Sequence, residues 1–176
     1  DFRLRSVPRK APFFITADQN YMLYVNGEYV GRGPARGFQR TWAFDEYDLA
    51  AHLVRGHNWI SVRVFNGGIS NFGYLFEWHA GLLCAARWKG FELYSDAKWP
   101  SRMSAAYRPD TCRTTVQMNL QEHVDARLDD QAWIRSAAEP KDWPQTSTTR
   151  PFGVMPWHAV EPRGIPNLGN EILHYQ

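Results

Sequence analysis

Two short runs of strand-forming residues flank an Asn-Gly pair in the first fifth of the chain. The runs span residues 21–25 and 28–30, and the pair between them is Asn26-Gly27. A two-residue type I′ turn needs positive φ at both central positions, and Asn-Gly adopts such angles more readily than most pairs. The sequence therefore predicts a tight β-hairpin whose turn consists of these two residues.

Strand patterns recur along the first two-thirds of the chain. Within residues 58–65, Ile60, Val62 and Val64 alternate with Ser61, Arg63 and other residues that would face the opposite way. A period of two marks a strand with one buried face. Further strands are predicted at residues 13–17, 74–78, 82–88 and 91–94. Many short strands with regular turns, and no long amphipathic helix, predict an all-β sandwich.

The last third of the chain has a different composition. One short helix is predicted within residues 125–138, and six of the eleven Pro residues lie at or after Pro140. Proline disrupts central strands and helix interiors. We therefore predict a β-sandwich domain over residues 1–139 and an irregular, extended Pro-rich tail over residues 140–176. The tail is expected to pack on the sandwich and to lead to a following domain.

Charge and hydropathy exclude some classes of function. The formal net charge is only +2, whereas a nucleic-acid-binding domain needs a strong basic field. The apolar runs are short and interrupted, which predicts no membrane span. Cys84 lies in an apolar run and is predicted to be buried, and a disulfide with Cys112 is left open. Nothing in the sequence assigns a compartment.

Several short motifs, taken in their order along the chain, resemble one family. Residues 17–34 have the sequence ADQNYMLYVNGEYVGRGP, followed by YDL at residues 47–49 and the strand at residues 60–64. This pattern resembles the galactose-binding-like jelly roll at the N-terminus of bacterial α-L-rhamnosidases of glycoside hydrolase family 78. The stretch PRGIP at residues 162–166 narrows the resemblance to that group. The fold that it implies is a galactose-binding-domain-like jelly-roll β-sandwich.

The resemblance also implies a role. In that family the catalytic carboxylates lie in a downstream helical barrel, for which this chain has no room. We therefore expect a non-catalytic accessory domain of an α-L-rhamnosidase-like enzyme, with weak carbohydrate binding as an added role to be tested. The parent protein, rather than this chain, would be the inverting glycosidase. The alternatives are an autonomous carbohydrate-binding module or lectin, and a purely structural interdomain element. The expected partners are further domains of the same polypeptide and a carbohydrate, for which L-rhamnose-containing glycans are candidates.

Two Gly-rich loops, at residues 32–42 and 66–73, carry side chains suited to sugar contact. Sugars present hydroxyls to planar polar groups and an apolar ring face to aromatic rings. The candidate sugar-binding residues are Arg32, Arg36, Trp42, Asn66, Asn71 and Phe72. In the alternative interpretation, Arg36 pairs with Asp45, the two Asn residues cap turns, and the loops pack on a neighbouring domain.

The acidic cluster Asp45, Glu46 and Asp48 precedes a predicted helical turn at residues 49–53. Acidic residues at such a position are typical helix caps. The cluster is also a weak candidate for Ca²⁺ binding, since Ca²⁺ prefers oxygen ligands. No other cofactor and no catalytic residue is predicted, because the nearest nucleophile-elbow match, at residues 68–72, lacks the final Gly.

Overall fold

The computed structural model describes residues 1–37, 41–77, 79–136, 143–145 and 149–169. Within these residues there are ten strands, one four-residue α-helix and two 3₁₀ turns, the turns being Leu49–His52 and Ala126–Leu128. The strands are β1 (Phe2–Leu4), β2 (Pro12–Asp18), β3 (Asn20–Val25), β4 (Glu28–Gly33), β5 (Trp42–Asp48), β6 (Gly56–Asn58), β7 (Ile60–Phe65), β8 (Gly81–Trp88), β9 (Phe91–Tyr94) and β10 (Val160–Pro162). The helix α1 spans Ala132–Arg135. The prediction of an all-β chain is confirmed.

The strands form three sheets. One has five strands in the order β10-β5-β2-β8-β9, one has three in the order β4-β3-β7, and β1 pairs with β6 alone. All pairings are antiparallel except that of β10 with β5, which is parallel. Strand β2 is central in the five-stranded sheet, and β3 is central in the other. The chain passes directly from one to the other at residues 18–20.

The core lies between the inward faces of these two central strands. Alternate residues of both strands are buried in one apolar cluster: Phe13, Ile15, Ala17, Tyr21, Leu23 and Val25. The turn after β5 adds Leu49 to this cluster. Burying a large apolar side chain stabilises a fold by roughly 1.5–3 kcal/mol. The alternate burial along both central strands is the period of two typical of a strand with one buried face. Cys84 on β8 is buried in the same cluster, as predicted.

The predicted hairpin is confirmed. Asn26 has φ of 52° and Gly27 has φ of 86°, the positive values that a type I′ turn requires. Val25 pairs with Glu28 across the turn, and Tyr24 pairs with Tyr29. Asn26 is also held by its side chain, which donates to the carbonyl oxygen of His52 at 2.8 Å.

Of two further predicted elements, a strand and a short helix, the strand differs from the structure. Residues 74–77 form no strand, since Tyr74 makes only an isolated bridge to Asn71 that closes a tight turn; Trp78 lies outside the described residues. The one short helix predicted within residues 125–138 is confirmed as α1, and a 3₁₀ turn precedes it. Asp130 separates the two, because its side chain accepts from the Ala132 amide at 2.8 Å and starts a new turn.

The Pro-rich segment contributes one edge strand, β10, to the five-stranded sheet. An edge position is where a strand can tolerate proline. The predicted domain boundary between residues 139 and 140 lies outside the described residues. Within the described part of the chain, no helix is long and apolar enough to cross a membrane. Cys84 and Cys112 are both free thiols.

Candidate functional site

The segments that follow β4 and β7 leave the three-stranded sheet at the same end of the strands. Both strands run antiparallel to β3, so they point in the same direction. The two segments also touch, because the guanidinium of Arg36 lies so close to Gly73 that a Cβ at that glycine would overlap with it. The two segments are therefore in contact, and Gly73 allows the close approach because it has no side chain.

A buried hydrogen-bond network lies beneath this junction. Asp18, the last residue of β2, is fully buried. Its Oδ1 accepts from the Tyr74 hydroxyl at 2.5 Å and from Asn66 Nδ2 at 3.4 Å. Asn66 Nδ2 also donates to the Tyr74 hydroxyl oxygen at 3.0 Å. Asn66 is therefore an internal bridge, and its amide N–H groups are directed towards the protein.

Burial raises the pKa of Asp18 to about 6, while the Tyr74 hydrogen bond opposes the rise and the charge of Glu77 adds to it. Burial also raises the pKa of Tyr74, and the hydrogen bond to Asp18 adds to this. Both shifts favour the protonated forms. The network therefore combines a carboxyl that resists ionisation with a phenol that stays a donor.

Trp42, the first residue of β5, contacts the same network. Its ring packs edge-to-face on Tyr74, with ring centroids 6.2 Å apart and an angle of 71° between the planes. Its backbone amide donates to the Ala159 carbonyl at 3.0 Å, which begins the pairing with β10. The indole is half-buried. Part of the indole surface that could contact a sugar is thus used in packing.

Asn71 and Phe72 differ in how they are used. Asn71 Nδ2 donates to Asn119 Oδ1 at 2.5 Å, and its Oδ1 accepts from the Gly73 amide at 2.8 Å. Such side-chain-to-backbone bonds stabilise turns. Phe72, in contrast, is 80% exposed. Of the two neighbours, only Phe72 presents most of its side chain to solvent.

Arg32 lies apart from the other candidates. It belongs to β4 rather than to a loop, and its Cα is paired with that of Met22 on β3. Its side chain is exposed on the outer face of the three-stranded sheet. The prediction that it starts a loop is wrong, because strand pairing continues through Gly33. The structure therefore gathers Arg36, Trp42, Asn66 and Asn71 around Tyr74 and leaves Arg32 outside that group.

Asp45 of the acidic cluster forms a buried ion pair with Arg163, 118 residues away in sequence. Arg163 Nη2 lies 3.1 Å from Asp45 Oδ2, and Arg163 Nε donates to Asp45 Oδ1. The Tyr21 hydroxyl donates to Asp45 Oδ2. Burial, together with the hydrogen bond to Asp45, raises the pKa of Tyr21 and keeps this hydroxyl a donor. The predicted pairing of Asp45 with Arg36 is wrong.

The other two carboxylates of the cluster point elsewhere. Glu46 is exposed on β5, next to the buried Asp45. Asp48 Oδ1 accepts from the amides of Ala11 at 2.8 Å and Ala50 at 3.0 Å. These bonds lower the pKa of Asp48 and make it the cap of the 3₁₀ turn. Among the residues that the structure describes, no group of three or more His, Cys, Asp or Glu could hold a metal ion.

Sequence reasoning did not identify Asp18 and Asp45 as the centres of two buried hydrogen-bond networks. Asp18 follows an apolar strand, which is a weak signal because it gives no partner. Arg163 stands in the PRGIP stretch that carried the family resemblance, yet its spacing from Asp45 contains no information about contact. Both networks depend on long-range pairings that become visible only when the sheets are assembled.

Solved structures of larger enzymes contain a region with this architecture. No protein-family model matches the chain, and no curated protein matches it either. A solved GH78 family rhamnosidase of Bacillus sp. GL1 is 35% identical over 94% of this chain, with a TM-score of 0.86. This chain is homologous to one domain of a GH78 rhamnosidase. It spans only 17% of that Bacillus chain.

Other rhamnosidases share the fold of this GH78-related domain at lower identity. The α-L-rhamnosidase of Streptomyces avermitilis, solved with L-rhamnose, is 21% identical with a TM-score of 0.59, and the match covers 92% of this chain and 13% of that one. The enzyme of Aspergillus terreus is 22% identical with a TM-score of 0.62, over 85% of this chain and 18% of that one. In each case the matching region is a small part of a larger enzyme.

Proposed function

We propose that this chain is a non-catalytic accessory domain of an α-L-rhamnosidase-like glycoside hydrolase that acts on rhamnose-containing glycans or glycosides. The observation that carries the proposal is the match over 94% of this chain to only 17% of a GH78 rhamnosidase. An N-terminal position in the parent enzyme and the galactose-binding-like jelly-roll connectivity belong to the same proposal.

The use of the carboxyl groups supports a role without catalysis. Inverting glycosidases need an acid and a base about 6.5–9.5 Å apart on either side of a sugar. Asp45 is fully buried and paired with a guanidinium, and Asp18 is also fully buried. Neither group can reach a glycosidic bond in this arrangement. These two carboxyl groups are therefore not the catalytic pair, and the proposal assigns the catalytic carboxylates to another part of the parent enzyme.

Within that role, packing against another domain of the same polypeptide is the better-supported task. Asn71 is used internally, whereas Phe72 beside it is 80% exposed. Asn71 bonds to Asn119, whose neighbours Met118 and Val116 are 59% and 60% exposed. Exposed apolar residues grouped in this way are typical of surfaces covered by a partner. A neighbouring domain would cover this patch.

A domain-exchange experiment tests the accessory role. The matching region of the Bacillus rhamnosidase would be replaced by this chain, and hydrolysis of an aryl α-L-rhamnoside would be measured. We expect the chimera to fold and to keep activity, while the isolated chain shows none. A matched chimera with Arg163→Met controls for the fold of the inserted domain. Turnover by the isolated chain, if lost on substitution of a carboxylate in the cluster 45–48, would refute the proposal.

Weak sugar binding is the second candidate, favoured by the exposed ring of Phe72 beside the exposed Arg36. An open site buries few ligand atoms, so Kd would be in the millimolar range, about −4 kcal/mol. L-Rhamnose and galactose would be titrated into ¹⁵N-labelled protein. Shifts near residues 66–73 that Phe72→Ala abolishes and Tyr94→Ala preserves would support binding. Absence of shifts at high sugar concentration would leave only the packing role.

A further inference from the structure

The end of β2 holds a carboxyl group without a neighbouring cation. Asp18 has no exposed surface, and its backbone is paired with Gly81 of β8. None of the ion pairs formed by the described residues includes it. A buried carboxylate without a counter-ion is costly, and such groups usually take up a proton instead.

The hydrogen bonds around Asp18 are also too few for a carboxylate. Its Oδ1 accepts from Tyr74 and Asn66, but its Oδ2 is buried with no hydrogen-bond partner in the described part of the chain. The Oε2 of Glu77 is in the same condition, and the nearest His nitrogen, on His158, lies 3.9 Å from it. The groups near Asp18 are thus neutral donors and a second acid.

We propose that Asp18 is a pH-sensitive switch whose proton keeps the end of β2 joined to residues 66–77. With Oδ2 protonated, the group is neutral and the bonds from Tyr74 and Asn66 to Oδ1 are retained. When the proton leaves to solvent, a negative charge forms in a buried position that also faces Glu77. Ionisation therefore weakens the packing of this segment, and with it the placement of Asn71 and Phe72. The inference does not depend on the proposed function.

The direction of the effect follows from the pKa of Asp18, which rises from 3.8 to about 6 on folding. A raised folded-state pKa gives stability that is complete below pH 3.8 and is lost as the pH rises through about 6. The shift of about two pH units corresponds to a roughly hundredfold change in the unfolding equilibrium constant, about 3 kcal/mol at 1.36 kcal/mol per unit. Glu77 and His158 are ionisable side chains close to this group, so they are varied in the test.

The direct test is a pH titration of the folded wild-type protein followed by the ¹³C resonance of the Asp18 carboxyl. We expect its midpoint near pH 6, with amide shifts of residues 66–77 following the same curve. Glu77→Gln should lower the midpoint, because it removes the neighbouring charge, and His158→Gln should change it little. A midpoint near the ordinary value of 3.8, or amide shifts that ignore it, would overturn the proposal.

A second measurement uses Asp18→Asn, which keeps an oxygen acceptor for Tyr74 and cannot ionise. Between pH 4 and pH 8, the unfolding equilibrium constant of the wild type should change roughly a hundredfold more than that of this variant. Glu92→Gln is the matched control, since Glu92 is 51% exposed and forms an ion pair with Arg87 on the hairpin of β8 and β9. An Asp18→Asn profile that parallels both the wild type and this control contradicts the switch. If this variant fails to fold, the wild-type titration decides.

Discussion

Removal of the Arg163 guanidinium should be the most damaging single change outside the apolar core. Arg163 is 8% exposed and Asp45 is not exposed at all, so their ion pair is closed to water. Arg163→Met keeps most of the side-chain length and the apolar contacts. Among the described residues, it leaves the buried Asp45 side chain with the Tyr21 hydroxyl as its one hydrogen-bond donor. Breaking a buried pair from one side costs about 3–5 kcal/mol, because the remaining charge is uncompensated.

Urea unfolding at pH 7, followed by tryptophan fluorescence, measures this loss. For a chain of this size a loss of 1 kcal/mol lowers Tm by about 2–4 °C, so thermal unfolding should shift by roughly 6–20 °C. The loss should also appear locally. The Arg163 amide donates to the Phe44 carbonyl at 2.9 Å, and its hydrogen exchange should accelerate more than that of amides in β3.

Two controls separate this explanation from a general effect of losing an arginine. Arg127 forms an ion pair with Asp125 in which the arginine side chain is 88% exposed, so Arg127→Met should leave stability almost unchanged, because water screens such pairs. The double variant Arg163→Met/Asp45→Asn removes the uncompensated charge and should be more stable than the single variant. Equal effects of Arg163→Met and Arg127→Met would refute the reasoning, and so would a double variant no better than the single one.

Two further changes test the turns by urea unfolding. Gly27→Val should destabilise by roughly 1–3 kcal/mol, because Gly27 has φ of 86° and β-branched residues are strained there; Gly164→Ala, where a Cβ meets open space, is the neutral control. Asp48→Ala should cost about 0.5–2 kcal/mol through loss of the cap on Ala50. Because the folded-state pKa of Asp48 is lowered, its contribution should be present above pH 3.8 and disappear as the pH falls further, and a pH-independent difference would contradict this.

Local patterns in the sequence were sufficient for the strands and the hairpin. On β7, Ile60 and Val62 pack against the core as their alternation predicts. Burial on this strand is not one-sided, because Ser61 on the opposite face is also buried. Asn26-Gly27 determines its own backbone angles. Such features depend on residues a few positions apart, so they are visible without the fold. The predicted strand at residues 74–78 failed for the complementary reason. Its aromatic residues resemble a strand, but Tyr74 is used to close a turn on Asn71 and to bond Asp18.

The candidate site was predicted by residue type and only partly by arrangement. The two loops meet because β4 and β7 run in the same direction, which follows from their pairing with β3 in the structure. The partners of the loop side chains did not follow. Asn66 bonds to Asp18, 48 residues earlier, and Asn71 bonds to Asn119, 48 residues later. Polar side chains suited to sugar hydroxyls are equally suited to buried backbone and side-chain partners, and the sequence alone does not distinguish these uses.

The contacts of the Pro-rich segment show how it is attached to the rest of the domain. The sequence predicts an extended tail that packs on the sandwich. In the structure, Val160 begins a parallel edge strand on β5, the ring of Trp157 covers Gly81 at the start of β8, and Arg163 reaches the buried Asp45. These contacts join three strands of one sheet, so residues 157–163 cannot move without breaking strand pairing and a buried ion pair together. This segment is therefore part of the folded sheet. The loss of unfolding free energy in Arg163→Met also measures how strongly the segment is held to that sheet.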